Sequence, residues 1–347
     1  MKKSKLSVAL LTACMAATLL AGCGDKKTET TEATTEATTE ATTEAATTTE
    51  ATVADATASE AEDDENYETG DASLDNVRNQ DEIGDNELLV VSFGTSFNDS
   101  RRLTIGAIED KLDEEFGNDY SVRRGFTSQI IIDHVKRRDG IAIDNMTEAL
   151  DRAVDNGVKN LVIQPTHLMN GLEYTDVVNE VGDYADAFDQ VVIGDPLLTS
   201  DEDFDEVVKA ITDATAEYDD GETAICFMGH GTEADSNEVY QKMQDKLTDA
   251  GFENYFVGTV EANPSVDDVL AKVQAGDYKK VVLEPLMIVA GDHANNDMAG
   301  DEEGSWKTTF EDAGYDVTCL VRGLGELPAI RDIFVKHAQA AIDKLNK

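Results

Sequence analysis

Three residues with metal-binding side chains each follow a short apolar run that is typical of a buried strand. His230 lies in CFMGHGTE, Glu261 ends the run in GTVEANP, and His293 lies in VAGDHANNDM. Neighbouring parallel strands lie about 5 Å apart, so three side chains at their carboxyl ends can converge on one ion. Two neutral imidazoles and one carboxylate suit Co²⁺, Ni²⁺, Fe²⁺ or Zn²⁺. The competing interpretation of each residue alone is a capping or core-edge role.

A second group of candidates follows predicted strands in the first half of the chain. The loop SFGTSFNDS offers hydroxyls and backbone amides at a helix start, so Ser92, Thr95 and Ser96 are candidate contacts for an anionic substrate. The alternative is an ordinary strand–turn–helix connection in which Asn98 and its neighbours cap the helix. His167, in QPTHLMNG, either faces a substrate cleft or caps the following helix.

Basic residues are scarce in this chain, with 28 Lys and Arg against 72 Asp and Glu. Their clusters therefore stand out as candidates for holding the carboxylates of a substrate, although a solvated surface is the alternative for each. The clusters are Arg101-Arg102, Arg123-Arg124 and Lys136-Arg137-Arg138.

Five other residues with reactive or aromatic side chains are interpreted as structural. His134 and His337 fall within predicted helices. Cys226 and Cys319 each lie alone in an apolar run, which favours buried thiols, with a disulfide between them as the alternative. Trp306 is expected to anchor the helix that it precedes rather than to stack on a substrate.

The elements that must position these residues alternate between apolar runs and helical patterns. This alternation predicts an α/β fold with parallel sheets flanked by helices. LLVVSFGTS and AICFMGHGT open two similar halves, so we expect two Rossmann-like lobes of four strands, residues 87–218 and 219–347. The predicted strands are 88–94, 120–126, 160–166, 190–198, 224–230, 255–261, 280–289 and 316–323.

Several function classes lose support from the sequence. It contains no GxxxxGK[ST] motif and no GxGxxG motif, so neither ATP nor NAD is expected as a cofactor. The formal net charge is −44, which argues against a nucleic-acid partner, because phosphate binding requires basic patches.

The N-terminal region is typical of an exported lipoprotein. Residues 1–23 form a basic start, an apolar stretch and the ending LAGC, which predicts cleavage before Cys23 and lipid attachment to it. The alternatives are a plain signal peptide or an uncleaved anchor helix. Residues 24–86 are rich in Thr, Glu and Ala and predict a disordered acidic tether. We therefore expect a membrane-anchored protein on an extracytoplasmic face.

Long segments of the chain resemble the anaerobic cobalt chelatase family of cobalamin synthesis, the sirohydrochlorin cobaltochelatases. They are LLVVSFGTSFNDSRRLTIGAIE, FTSQIIIDHVKRRDGIAID, FMGHGTEADSNEVY, PLMIVAGDHANNDMAGDEEGSWK and GLGELPAIRDIFV. The resemblance implies the class II chelatase fold and insertion of Co²⁺ into sirohydrochlorin without ATP. It also implies His230, Glu261 and His293 as the metal residues, with His230 as the general base.

Export does not fit the cytoplasmic synthesis of sirohydrochlorin, so a second function is kept open. That alternative is a surface-anchored, non-enzymatic protein that binds a metal, haem or a corrinoid for uptake. An iron or nickel chelatase and a structural relic are further alternatives. The sequence also leaves a homo-oligomer open.

Overall fold

Each half of the chain forms a four-stranded parallel sheet, in a computed structural model that describes residues 69–345. The strand order is β2-β1-β3-β4 in the first sheet and β6-β5-β7-β8 in the second, so the halves repeat one topology, as predicted. The strands are β1 (Asn86–Ser92), β2 (Ser121–Phe126), β3 (Asn160–Pro165), β4 (Gln190–Ile193), β5 (Thr223–Gly229), β6 (Tyr255–Thr259), β7 (Lys280–Pro285) and β8 (Asp316–Cys319).

All eight predicted strands are present, but three of them end four or five residues earlier than the apolar pattern indicates. The run 190–198 is a strand only to Ile193, the run 280–289 only to Pro285 and the run 316–323 only to Cys319. Pro196 and Pro285 lack a backbone N–H and cannot continue a ladder of hydrogen bonds. The apolar residues beyond these points are loops that lie at the carboxyl edge of each sheet.

Helices connect the strands, and several begin at a side chain that caps them. Asn145, Ser200 and Ser265 each form a capping box with the acidic residue three positions later. Within residues 69–345 the α-helices are α1 (Asn98–Arg101), α2 (Ala107–Phe116), α3 (Gln129–Asp139), α4 (Met146–Asp155), α5 (Leu172–Asp183), α6 (Asp201–Thr215), α7 (Glu238–Asp249), α8 (Val266–Gln274), α9 (Trp306–Asp312) and α10 (Pro328–Leu345).

The apolar core follows from the alternation of side chains along the strands. Leu88 and Val90 of β1 share one core cluster with Ile225 and Phe227 of β5, so this cluster joins the two lobes. The residues of opposite parity pack on the outer faces of the sheets, under α4 and α5 in the first lobe and under α8 and α9 in the second.

The last helix crosses back to the first lobe. Helix α10 contacts β3, β4 and α2, although the predicted boundary at 218/219 assigns it to the second lobe. Its buried His337 contacts the carbonyl oxygen of Asp195 at 3.1 Å and a carboxylate oxygen of Asp203 at 2.9 Å. His337 is therefore structural, as predicted, and the two lobes share an element that the sequence placed in one.

Residues 69–85, which we call the strap, correct the predicted extent of the tether. The sequence assigned them to a disordered segment, yet they pack along β2 of the first lobe. The side-chain amide of Gln80 donates to the Val122 carbonyl oxygen at 3.1 Å. The backbone amide of Arg124 donates to the Arg78 carbonyl oxygen at 3.1 Å. The buried Asp75 carboxylate pairs with Arg124 at 2.7 Å. The strap is thus part of the folded domain.

The signal peptide, Cys23 and residues 24–68 of the predicted tether lie outside the described residues. In the part that the structure describes, none of the helices combines the length and the hydrophobicity needed to span a bilayer.

Candidate metal centre

The structure brings the three predicted metal residues together at the carboxyl edge of the second sheet. His230 follows β5, Glu261 follows β6, and His293 lies after β7. Each offers a ligand atom, and these atoms all lie within 4.8 Å of one another. The imidazole rings of His230 and His293 meet edge to face with 4.7 Å between centroids. Nδ1 of His230 lies 3.9 Å from Oε2 of Glu261.

Backbone pairing sets the separation of His230 and Glu261. The ladder between β5 and β6 continues past the strands, since Glu261 donates its amide to the His230 carbonyl oxygen at 2.9 Å. Gly231 follows with a φ of +89°, and a Cβ there would lie 2.8 Å from the backbone nitrogen of Ala262. Only glycine fits this left-handed, crowded position, so the GHG sequence is required by the turn.

His293 is held by a partner that sequence reasoning missed. It precedes a π-helical turn, Ala294–Met298, and its Nδ1 lies 2.7 Å from Oδ2 of Asp297. This hydrogen bond raises the pKa of His293, against the opposing effect of burial. With Nδ1 occupied, Nε2 is the nitrogen left for a metal ion. The spacing of four residues between His293 and Asp297, which fits one helical turn, is the signal in the sequence that indicates this contact.

A loop of the first lobe supports the segment that leads to His293. The Ser100 hydroxyl oxygen accepts the Ala290 amide at 2.9 Å. A Cβ on Gly291 would lie 3.1 Å from Oγ1 of Thr95, so the two loops are in close contact. The candidate substrate loop of the first lobe therefore adjoins the metal residues of the second.

The centre is open to solvent. The exposed fractions of the side chains are 46% for His230, 47% for Glu261 and 31% for His293. Three protein ligands leave coordination positions for water or another molecule, as in catalytic rather than structural metal sites. This arrangement can bind a divalent ion and exchange its remaining ligands.

The other predicted substrate contacts are mostly buried. Ser92 is 1% exposed and its hydroxyl lies 2.7 Å from that of Thr166, while Thr95 is 3% exposed. Ser96 is partly exposed. His167 is buried, its ring nitrogens have no hydrogen-bond partner among the described residues, and burial lowers its pKa to about 4. Substrate contact at these positions stays a prediction.

The alternative interpretation, in which Asn98 and its neighbours cap helix α1, is wrong. The helix begins at Asn98, and its N-cap residue, Phe97, makes no side-chain cap. The Asn98 side chain is instead buried, where its oxygen accepts from the Arg101 guanidinium at 2.6 Å and its nitrogen donates to the Gly70 carbonyl oxygen at 3.2 Å. Asn98 therefore joins the helix to Arg101 and to the strap.

Three of the candidate arginines are neither substrate contacts nor solvated surface. The side chains of Arg101, Arg123 and Arg124 are 0% exposed and pair with carboxylates inside the first lobe. Both alternatives from the sequence are wrong for them, because a guanidinium can be buried when carboxylates match its charge. Their partners are Asp75, Glu87, Glu109 and Asp144.

The residues interpreted as structural keep that assignment. Trp306 is 3% exposed and opens α9 in the outer core of the second lobe. Cys226 and Cys319 are free thiols, the first buried and the second partly exposed, so the alternative of a disulfide is wrong. His134 lies within α3 and is partly exposed.

Comparison with protein families and curated proteins gives a consistent result. The family model for cobalt chelatase (CbiK) matches residues 86–343. The chain is 39% identical over 256 residues to the sirohydrochlorin cobaltochelatase of Salmonella typhimurium, covering 74% of this chain and 96% of that protein. It is 29% identical over 281 residues to the sirohydrochlorin cobaltochelatase CbiKC of Nitratidesulfovibrio vulgaris, covering 79% and 97%.

Solved structures with the same fold share little sequence with this chain. SirB from Bacillus subtilis with Fe³⁺ aligns with a TM-score of 0.56 at 13% identity, covering 76% of this chain and 98% of that one. The sirohydrochlorin chelatase SirB from Bacillus subtilis subspecies spizizenii in complex with cobalt gives 0.52 at 14% identity, with coverage of 76% and 98%. These alignments confirm the predicted α/β fold with two parallel sheets.

Proposed function

The chain belongs to the cobalt chelatase (CbiK) family, and on that premise we propose that it is a sirohydrochlorin cobaltochelatase, an ATP-independent lyase that inserts Co²⁺ into the tetrapyrrole. The observation that carries the proposal is the open convergence of His230, Glu261 and His293 within 4.8 Å. Those side chains are the ones that the resemblance assigns to the metal.

The incomplete ligand set suits transfer of the ion rather than its storage. Co²⁺ is a substrate here, so the protein must hold it long enough for the macrocycle to approach and then release it. Two imidazoles and one carboxylate provide moderate affinity, and the exposed edge of the site lets pyrrole nitrogens replace water on the ion.

Metallation also requires a base, because two pyrrole N–H bonds break while two nitrogen–cobalt bonds form. Nδ1 of His230 lies 2.9 Å from the Gly231 carbonyl oxygen, which leaves Nε2 as the nitrogen with a free lone pair in the neutral ring. As the ion moves to the macrocycle, this nitrogen becomes free and accepts one pyrrole proton. The neighbouring Glu261 carboxylate or solvent takes the second proton.

The acidic groups of the substrate need donors near the centre. The loop containing Thr95 and Ser96 adjoins Gly291 and supplies backbone amides and hydroxyls on the first-lobe side. The buried arginines are paired with internal carboxylates and do not take part. Ser96 is the most accessible of the proposed contacts.

Anaerobic metallation of sirohydrochlorin, followed by absorbance, tests the proposal. The full chain in detergent with Co²⁺ should give many turnovers, His230→Ala should give none above the spontaneous rate, and His134→Ala should behave as wild type. Saturation of the wild-type protein at one equivalent, without turnover, would instead support the surface-binding alternative.

The proposed location is the extracytoplasmic face of a membrane, with lipid on Cys23. The support is the sequence of residues 1–23, with its basic start, apolar stretch and LAGC ending. Labelling of cells with a tagged fatty acid should mark the wild type and Cys319→Ser but not Cys23→Ser. Labelling that persists in Cys23→Ser would exclude this anchor.

A further inference from the structure

The turn that carries His230 rests on a buried tyrosine of the following helix. Tyr240 lies on α7 and is 1% exposed. A Cβ placed on Gly229 would lie 2.1 Å from Cε1 of Tyr240, so the ring packs directly against the backbone before His230. This contact explains why the position before the histidine is a glycine.

The hydroxyl of Tyr240 also binds the backbone after His230. The Gly231 amide donates to the Tyr240 hydroxyl oxygen at 3.2 Å, in a buried environment. The ring and the hydroxyl of Tyr240 therefore contact the turn on both sides of the histidine, at Gly229 and at Gly231. A shift of either residue would move the His230 backbone.

Gly231 links the Tyr240 hydroxyl to the imidazole of His230. The Gly231 carbonyl oxygen lies 2.9 Å from Nδ1 of His230. A carbonyl oxygen only accepts, so Nδ1 carries the hydrogen and the neutral ring presents Nε2 as its lone-pair nitrogen. The Tyr240 hydroxyl holds the amide side of Gly231, and the carbonyl side of that residue orients the ring.

We propose that Tyr240 is a positioning residue for the metal centre, which fixes the place and tautomer of His230 through Gly231. The role in catalysis rests on the proposed function, whereas the role in metal binding requires only that the three residues hold an ion. Loss of a group that orients a ligand typically weakens metal affinity or activity about 10- to 100-fold.

Tyr255 provides a matched control in the same lobe. It is also 1% exposed, and its hydroxyl lies 3.1 Å from that of Thr215, at the opposite end of β6 from Glu261. Tyr255→Phe therefore removes one buried hydroxyl contact without touching the centre. Tyr240→Phe keeps the ring that packs on Gly229 and removes only the hydroxyl.

The experiment compares the full chain and these two variants in detergent. Calorimetric titration with Co²⁺ alone should show affinity reduced about 10- to 100-fold in Tyr240→Phe and within about 2-fold of wild type in Tyr255→Phe. Nitrogen NMR of labelled histidine at pH 9 should show the Nδ1–H form of His230 in wild type and mixed tautomers in Tyr240→Phe. Thermal unfolding checks that both variants fold.

Equal Co²⁺ affinity in the two variants, with unchanged His230 nitrogen signals, would overturn the proposal. A wild-type protein without turnover would instead overturn the chelatase function. In that case, weaker Co²⁺ binding by Tyr240→Phe than by Tyr255→Phe would still support the role of Tyr240, so the two failures are distinguishable.

Discussion

The first lobe holds a sealed cluster of arginines and carboxylates, whereas the second lobe holds an open cluster of two histidines and a glutamate. In the sealed cluster, Asp75 bridges Arg101 and Arg124 at 2.7 Å each, and Glu109 pairs with Arg124 at 2.7 Å, with all four side chains at most 1% exposed. In the open cluster, the side chains are about one third to one half exposed.

The difference lies in what balances the charge. Each buried guanidinium is paired with at least one buried carboxylate, so the sealed cluster is not open to a substrate and stabilises the fold. In the open cluster, Glu261 lies beside His230 rather than beside a lysine or an arginine, and His293 is hydrogen-bonded to Asp297 behind it. Ionisable side chains therefore stabilise the fold in the first lobe, whereas in the second lobe they form the metal site.

The largest expected effect is the loss of folding stability when a carboxylate of the sealed cluster is removed. Asp75→Ala leaves two buried arginines short of negative charge, so we expect the free energy of unfolding to fall by about 3 to 5 kcal/mol. Urea denaturation measures this loss. Co²⁺ binding by the folded variant should persist, since the ligands belong to the other lobe.

Asp81→Ala is the matched control for that variant. Asp81 also belongs to the strap, but it is 63% exposed and its partner Arg152 keeps a second carboxylate, Asp144. The expected loss is below about 0.5 kcal/mol. Similar losses in both variants would mean that the strap does not act through the buried charges.

The next effect compares the buried His167 with the partly exposed His134. Burial lowers the pKa of His167 from 6.5 to about 4, so the folded state favours the neutral ring. The resulting stability is present above pH 6.5 and is lost as the pH falls toward 4, by on the order of 3 kcal/mol. Unfolding free energies measured across this range should decline less in His167→Gln than in wild type. The same decline in His167→Gln and His134→Gln would contradict the assignment.

In the open cluster, loss of a ligand should lower the Co²⁺ affinity and leave the free energy of unfolding almost unchanged. Glu261→Gln keeps the shape of a 47% exposed side chain, so the free energy of unfolding should change by less than about 0.5 kcal/mol. The Co²⁺ affinity should fall by at least about 100-fold, because a charged ligand is lost. Calorimetry with Co²⁺ checks this, and Glu233→Gln serves as a control on a neighbouring loop. Unchanged affinity would remove Glu261 from the ligand set.

The smallest expected effect on Co²⁺ affinity comes from the hydrogen bond that orients the ligand His293. Asp297→Asn weakens the hydrogen bond that orients His293, and we expect Co²⁺ affinity about 10-fold below wild type. Asp292→Asn, on the same loop, should bind Co²⁺ as the wild type does. If both variants lost the same affinity, the general negative charge of the loop would be responsible instead of the specific contact.

Much of the fold was predictable because the physical signals are local. Alternating apolar runs and helical patterns locate all eight strands, and the carboxyl-edge rule for parallel sheets groups His230, Glu261 and His293 from the sequence alone. Asp297 was overlooked although its spacing from His293 fits a helical turn. The end of β7 at Pro285 was also readable in the sequence but was outweighed by the apolar residues that follow.

The sequence by itself determined the α/β class, the duplicated topology and the membership of the metal trio, because periodicity and strand ends are properties of short segments. Only the tertiary structure decided that Arg101 and Arg124 are sealed by Asp75 of the strap, and that α10 packs on the first lobe. Those outcomes depend on contacts between residues far apart in the chain. A charged residue in a sequence has the same appearance whether a distant partner buries it or leaves it free to bind an ion.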